Sequence, residues 1–136
     1  MRGILYNKGM PLNDLLSQFP PEISALVLEL RVFLIKRFPE LQEEVDLLSR
    51  ILAYALAAGM PGVAFTIIPS RKAVKLGIPF GSQLQDPFGL LSGNGKLHKV
   101  VELHPGDKIN PQLEMLADLA YQKAVDRTRK GEKDAG

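Results

Sequence analysis

The sequence predicts an α+β domain of two layers, with N-terminal helices and a C-terminal helix packed on a mostly antiparallel β-sheet. Three observations predict it. Apolar residues recur at three-and-four spacing over residues 23–38 and again over 113–124, the period of an amphipathic helix. Between them the period changes to two, most clearly where Val74, Leu76, Ile78 and Phe80 alternate with Ala73, Lys75 and Gly77. Short Gly- and Pro-rich turns join these segments, and the order helices, strands, helix suits helices laid on one face of a sheet.

Residues 1–11 read as a loose lead-in. Met1-Arg2-Gly3-Ile4-Leu5-Tyr6-Asn7-Lys8 lacks the apolar run of a signal peptide, so a cytoplasmic location is expected. Residues 12–19 spell a short helix that stops at Pro20-Pro21, because a residue before proline is driven out of the helical region. Pro21 suits the first turn of the next helix, where its missing N–H has no partner to lose. Ile23, Leu26, Val27, Leu30, Phe33, Leu34 and Phe38 carry that helix to Pro39. Pro39-Glu40-Leu41-Gln42-Glu43-Glu44-Val45 then opens another helical turn, with carboxylates where the macrodipole favours them.

Residues 47–58, LLSRILAYALAA, admit two readings. Propensity favours a helix, while Leu48, Arg50, Leu52, Tyr54 and Leu56 alternate as in a strand. Gly59-Met60-Pro61-Gly62 is a turn, and residues 63–68 form a strand rich in β-branched and aromatic side chains. The strand at 73–80 leads into a long loop with Gly81, Asp86-Pro87, Gly89 and Gly93-Asn94-Gly95-Lys96, then a strand at 98–103. In that second strand Leu97, Val101 and Leu103 share one face, and His98, Val100, Glu102 and His104 the other. Asn110-Pro111 is an N-cap with proline at the first helical position. Leu113, Leu116, Ala117, Ala120, Tyr121 and Ala124 form the inward stripe of the last helix, and residues 127–136 a polar, frayed tail. The domain proper spans 12–126.

At 136 residues the chain is long enough for one core without staples, and with no cysteine it has neither disulfides nor thiolate metal ligands. No run is long and apolar enough to span a bilayer, so no membrane partner is expected. The net charge of +2, from 17 basic and 15 acidic residues, is too small for a nucleic-acid footprint. No G-x-S-x-G elbow surrounds any serine, so no catalytic residue is assigned.

Two sets of polar residues are candidate sites. Gly93-Asn94-Gly95-Lys96 can present amides and a lysine to an anion, but Leu97 stands where a P-loop has Ser/Thr, and a strand follows instead of a helix. The alternative is a structural loop that needs glycine where φ is positive. The candidate binding surface is therefore Asp86, Gly89, Gly93, Asn94, Gly95 and Lys96, with Lys75 and His98 beside them. Glu40, Glu43 and Glu44 lie at helical spacing and can offer oxygens to a weak cation site, or stand as solvated carboxylates at a helix start. His98 and His104 are separated by roughly 20 Å on an extended strand and cannot share one ion.

The loop also carries a resemblance. Asp86-Pro87-Phe88-Gly89-Leu90-Leu91-Ser92-Gly93-Asn94-Gly95-Lys96 matches the D-P-x-G-L-L-x-G-x-G-K loop of the YdhG-like domain family. Ala73-Val74-Lys75-Leu76-Gly77-Ile78 is similar to the family's H-V-x-L-G-F strand, and Phe38-Pro39-Glu40-Leu41-Gln42-Glu43-Glu44 to its proline-led acidic turn. The tryptophan found in the next segment of many members is missing here. The resemblance covers roughly residues 12–125 and implies a strand over residues 49–56. It implies a fold comparable to frataxin's sandwich and, because some members are described as frataxin-like iron chaperones, handling of Fe2+. The resulting expectation is a non-enzymatic binding module for a metal or small ligand, monomeric or weakly dimeric. The alternatives are a protein-interaction domain docking through the sheet, with Phe80 and Phe88 exposed, and an enzyme with an unrecognised site.

Overall fold

The computed structural model describes residues 9–135, with side chains from Met10 to Lys130. Helices α1 (Gly9–Leu16) and α2 (Pro21–Arg37) precede five strands, and α3 (Pro111–Ala135) follows them. The strands are β1 (Gln42–Asp46), β2 (Ile51–Ala55), β3 (Val63–Pro69), β4 (Val74–Ile78) and β5 (Lys99–Leu103). They form one antiparallel sheet in the order β1-β2-β3-β4-β5, so every strand pairs with its neighbour in sequence. This is the α+β architecture expected from the sequence. Most of the expected lead-in lies outside the described residues, and the chain is already helical from Gly9.

Proline sets the joint between the first two helices. Pro20 stands extended at φ −58° and ψ 152°, Pro21 opens α2, and the Pro20 carbonyl accepts the Ser24 N–H at 3.0 Å. The Ser24 hydroxyl then donates to the Leu16 carbonyl at 2.8 Å, tying α2 back to the end of α1. Ile23, Leu26, Val27, Leu30 and Leu34 of α2 are buried against the sheet. Each contributes about 1.5–3 kcal/mol by leaving water.

The register assigns the two faces. Val45 lies opposite Leu52, Leu52 opposite Ile67, Ile67 opposite Leu76 and Leu76 opposite Val101. That row, with Tyr54, Phe65, Val74 and Leu103, is the face covered by helices. Phe38 stacks on Phe65 at 5.4 Å and on Tyr121 of α3 at 4.5 Å, joining α2, the sheet and α3 in one core. The opposite face carries Gln42 and Glu44, Ala53 and Ala55, Thr66 and Ile68, Lys75 and Gly77, and no described helix covers it.

Two local expectations are corrected, at the acidic segment and at Phe80, and one open reading is resolved. The acidic segment is not a helix start: Gln42–Asp46 is an edge strand whose side chains alternate in burial. A one-turn helix there has little internal bonding to set against its nucleation cost, whereas pairing with β2 satisfies the backbone directly. The open segment resolves to a strand, Ile51–Ala55, within the 49–56 that the resemblance implies, after a turn in which Arg50 has φ +59° and Leu48 is 98% exposed. Phe80 is not part of its strand: β4 ends at Ile78, and Phe80 adopts a left-handed conformation at φ +61°. The last helix extends to Ala135, and Arg127 at the start of the expected tail is anchored to the β3 approach.

Candidate functional site

The long loop between β4 and β5 is held by its own residues. Asp86 accepts hydrogen bonds from the Leu90 N–H at 2.9 Å and the Leu91 N–H at 2.8 Å, closing a turn in which Gly89 has φ +65°. Gly93, at φ +108°, then lets the chain return, and Ser92 exchanges backbone bonds with Val100 at 2.8 and 3.0 Å. A Cβ on Gly95 would stand 2.6 Å from the His98 carbonyl oxygen, so that approach requires glycine. Lys99 donates to the Gly93 carbonyl at 3.0 Å. Asn94 and Lys96 remain exposed at the tip.

His98 belongs to the joint between loop and helix. Its Nδ1 accepts the Phe80 N–H at 3.1 Å, so the neutral ring carries its proton on Nε2. The Phe80 ring meets His98 edge-on at 5.7 Å and lies 4.4 Å beneath the Arg127 guanidinium. Arg127 also donates to the carbonyls of Pro61 at 3.2 Å and Val63 at 3.0 Å. Desolvation lowers the Arg127 pKa. Phe80 is thus half-buried rather than a free docking residue, while Phe88 is 42% exposed. Lys75 pairs across the sheet with Glu102 on the helix-free face, four residues from the level of His98, roughly 13 Å along the strand. Of the residues singled out in the loop, the fold brings Asp86, Gly89, Gly93, Gly95 and His98 into one bonded framework and leaves Lys75 apart.

The acidic residues diverge. Glu40 accepts the Tyr121 hydroxyl at 2.9 Å, which together with burial raises that phenol's pKa, burial being the larger cause. Glu43 points under the sheet, its side chain 8% exposed, and receives Arg31 through two bonds of 2.7 and 3.0 Å. Tyr54, fully buried, donates its hydroxyl to the same carboxylate at 2.7 Å. Burial, then the bond to Glu43, pushes the Tyr54 pKa far up, and the Glu43 bond raises that of Arg31. Glu44, one residue on, faces the other side of the strand. Asp46 accepts the Ser49 N–H at 3.0 Å, which lowers its pKa. Among the described residues no group of three or more His, Asp or Glu side chains is placed to hold a metal ion. His104 lies beyond the end of β5, 3.1 Å from Glu102.

A concavity lies beside the acidic strand, at the β1–β2 end of the sheet. A cavity of about 650 Å3 opens there, floored by Ala53 and Ala55 and walled by Ala57, Met60 and Val63. Gln42 and Glu44 supply its polar rim, and Pro11 of α1 borders it. The space exists because these strand and turn positions carry methyl groups where longer side chains would fill it. The sequence signal was the alternation Ala53, Ala55, Ala57 leading into Gly59, which reads as helix propensity until the strand is known. An apolar floor with an amide and a carboxylate at the rim suits a largely apolar molecule bearing one donor or cationic group. Comparison of the chain with protein-family models, with curated proteins and with solved structures gave no match.

Proposed function

We propose that this chain is a non-enzymatic binding module that takes a small, largely apolar ligand into the cavity at the β1–β2 end of its sheet. The observation that carries this reading is the cavity: about 650 Å3, within the range of small-molecule sites, with small apolar side chains on its floor. Its described lining holds carboxylates and an amide but no hydroxyl, imidazole or amine, which favours binding over nucleophilic catalysis. The resemblance to the YdhG-like family agrees with a ligand-handling role. The ferrous variant of that role is not adopted, because Glu40 and Glu43 are each engaged by tyrosine or arginine and Glu44 faces away from Glu43.

The test is titration with Nile red, a neutral apolar dye, followed by fluorescence and by amide shifts. The wild-type protein is expected to bind with shifts confined to residues 42–45 and 53–63. Ala55→Trp, which fills the floor, should weaken binding at least ten-fold, and the milder Met60→Gln at the exposed rim should weaken it less. Equal binding by wild type and Ala55→Trp, or shifts centred on residues 86–98, would overturn the reading.

A further inference from the structure

Helix α2 has a second apolar stripe that the core does not use. Leu28, Val32 and Ile35 are 38%, 45% and 39% exposed, on the side opposite buried Ile23, Leu26, Leu30 and Leu34. With exposed Ala25 they fall at intervals of three, four and three residues, the a/d spacing of a helix–helix seam. A helix that is apolar on both sides is a buried helix, and here the described residues cover only one side.

The charges beside the seam identify what covers the other. Glu29 and Lys36 lie seven residues apart on the same flank and are both exposed. Neither forms an ion pair with a described residue of its own chain. If two copies of α2 cross antiparallel about a two-fold axis near Val32, Leu28 meets the partner's Ile35. Glu29 then meets the partner's Lys36, and the symmetry makes each contact twice. A parallel two-fold pairing would put the two Glu29–Lys36 flanks on opposite sides of the seam, where they could not meet.

We propose that this chain forms an isologous homodimer through the outer face of α2, with Val32 at the axis and reciprocal Glu29–Lys36 pairs at the flanks. The surface is separate from the ligand cavity, so each stands without the other.

Sedimentation velocity over a range of protein concentrations at low salt tests it. The wild type is expected to pass reversibly from monomer to dimer. Val32→Glu should raise the concentration at half-association at least ten-fold with an unchanged thermal melt of the monomer. Glu29→Lys should also weaken association, because it sets lysine against lysine twice, and the double swap E29K/K36E should restore it. A wild type that stays monomeric throughout overturns the proposal. So does association indifferent to Val32→Glu, and so does a double swap no better than the single one.

Discussion

Tyr54 shows how one side chain can decide a strand's position. Its ring lies in the core while its hydroxyl reaches the Glu43 carboxylate, which Arg31 also clamps from α2. The pair Glu43–Tyr54 is a directly opposed position in the β1–β2 ladder, so this contact also fixes the register. Tyr54→Phe is expected to cost about 1.5–3 kcal/mol at neutral pH, the worth of one hydrogen bond to a charged acceptor. Its pH signature is more specific. A phenol whose folded pKa is raised lends stability that is fully present below the unfolded value near 10, and loses it as pH rises towards the folded value. Wild-type stability should therefore fall by about 1.4 kcal/mol per pH unit above pH ~10 from this group, and Tyr54→Phe should lack that slope. Urea denaturation of both proteins between neutral and alkaline pH measures the difference, and parallel curves would refute the assignment. Tyr54 was visible in the sequence only as one member of an alternating run. What it bonds was not, because Glu43 read as a surface carboxylate until the strand turned it inward.

At the scale of elements, the legible ones were those whose period and punctuation agreed. Helix α2 combined a starting proline with an unbroken apolar stripe, and β4 combined strict alternation with a closing turn, so both appear near their expected bounds. β1 was misread because Gln-Glu-Glu-Val-Asp has poor strand propensity, and an edge strand is specified by its neighbour more than by itself. The anchor near the end of α3 was not legible for a related reason: Arg127 stands in a polar run, and its two carbonyl acceptors and aromatic face come from other elements. Arg127→Met keeps the aliphatic stem and removes those bonds. It is expected to cost about 1–2 kcal/mol and to speed amide exchange around Met60–Gly62 and Gly81–Gln83 together, since one guanidinium serves both neighbourhoods. Arg127→Lys should recover little, because a point cation cannot reproduce the planar fork. Full recovery by lysine, or exchange unchanged at both turns, would show that the helix end is held by packing alone.

For the whole molecule, a five-strand meander leaves two edges, and the chain protects them differently. The β5 edge is partly occupied by the loop, where Ser92 bridges to Val100. The β1 edge has no further strand beside it among the described residues and carries Gln42 and Glu44 on the helix-free face, beside Ala53 and Ala55. Charge on a short edge strand discourages pairing with another copy, since an antiparallel match would bring carboxylates together. The same residues that made β1 illegible as a strand are therefore what a safe edge requires. Replacing Gln42 and Glu44 by valine leaves the Glu43 clamp intact, raises strand propensity and removes the charge. Q42V/E44V is expected to fold with wild-type ellipticity and then to form species larger than a dimer, growing with concentration and heat. Q42K/E44K, which restores charge of the opposite sign, should not. Light scattering and sedimentation of the three proteins side by side distinguish the outcomes. If the valine variant stays no larger than wild type, the edge is protected by geometry and not by charge. If the lysine variant aggregates as well, the loss of a specific Glu44 contact is the cause, and charge repulsion is not.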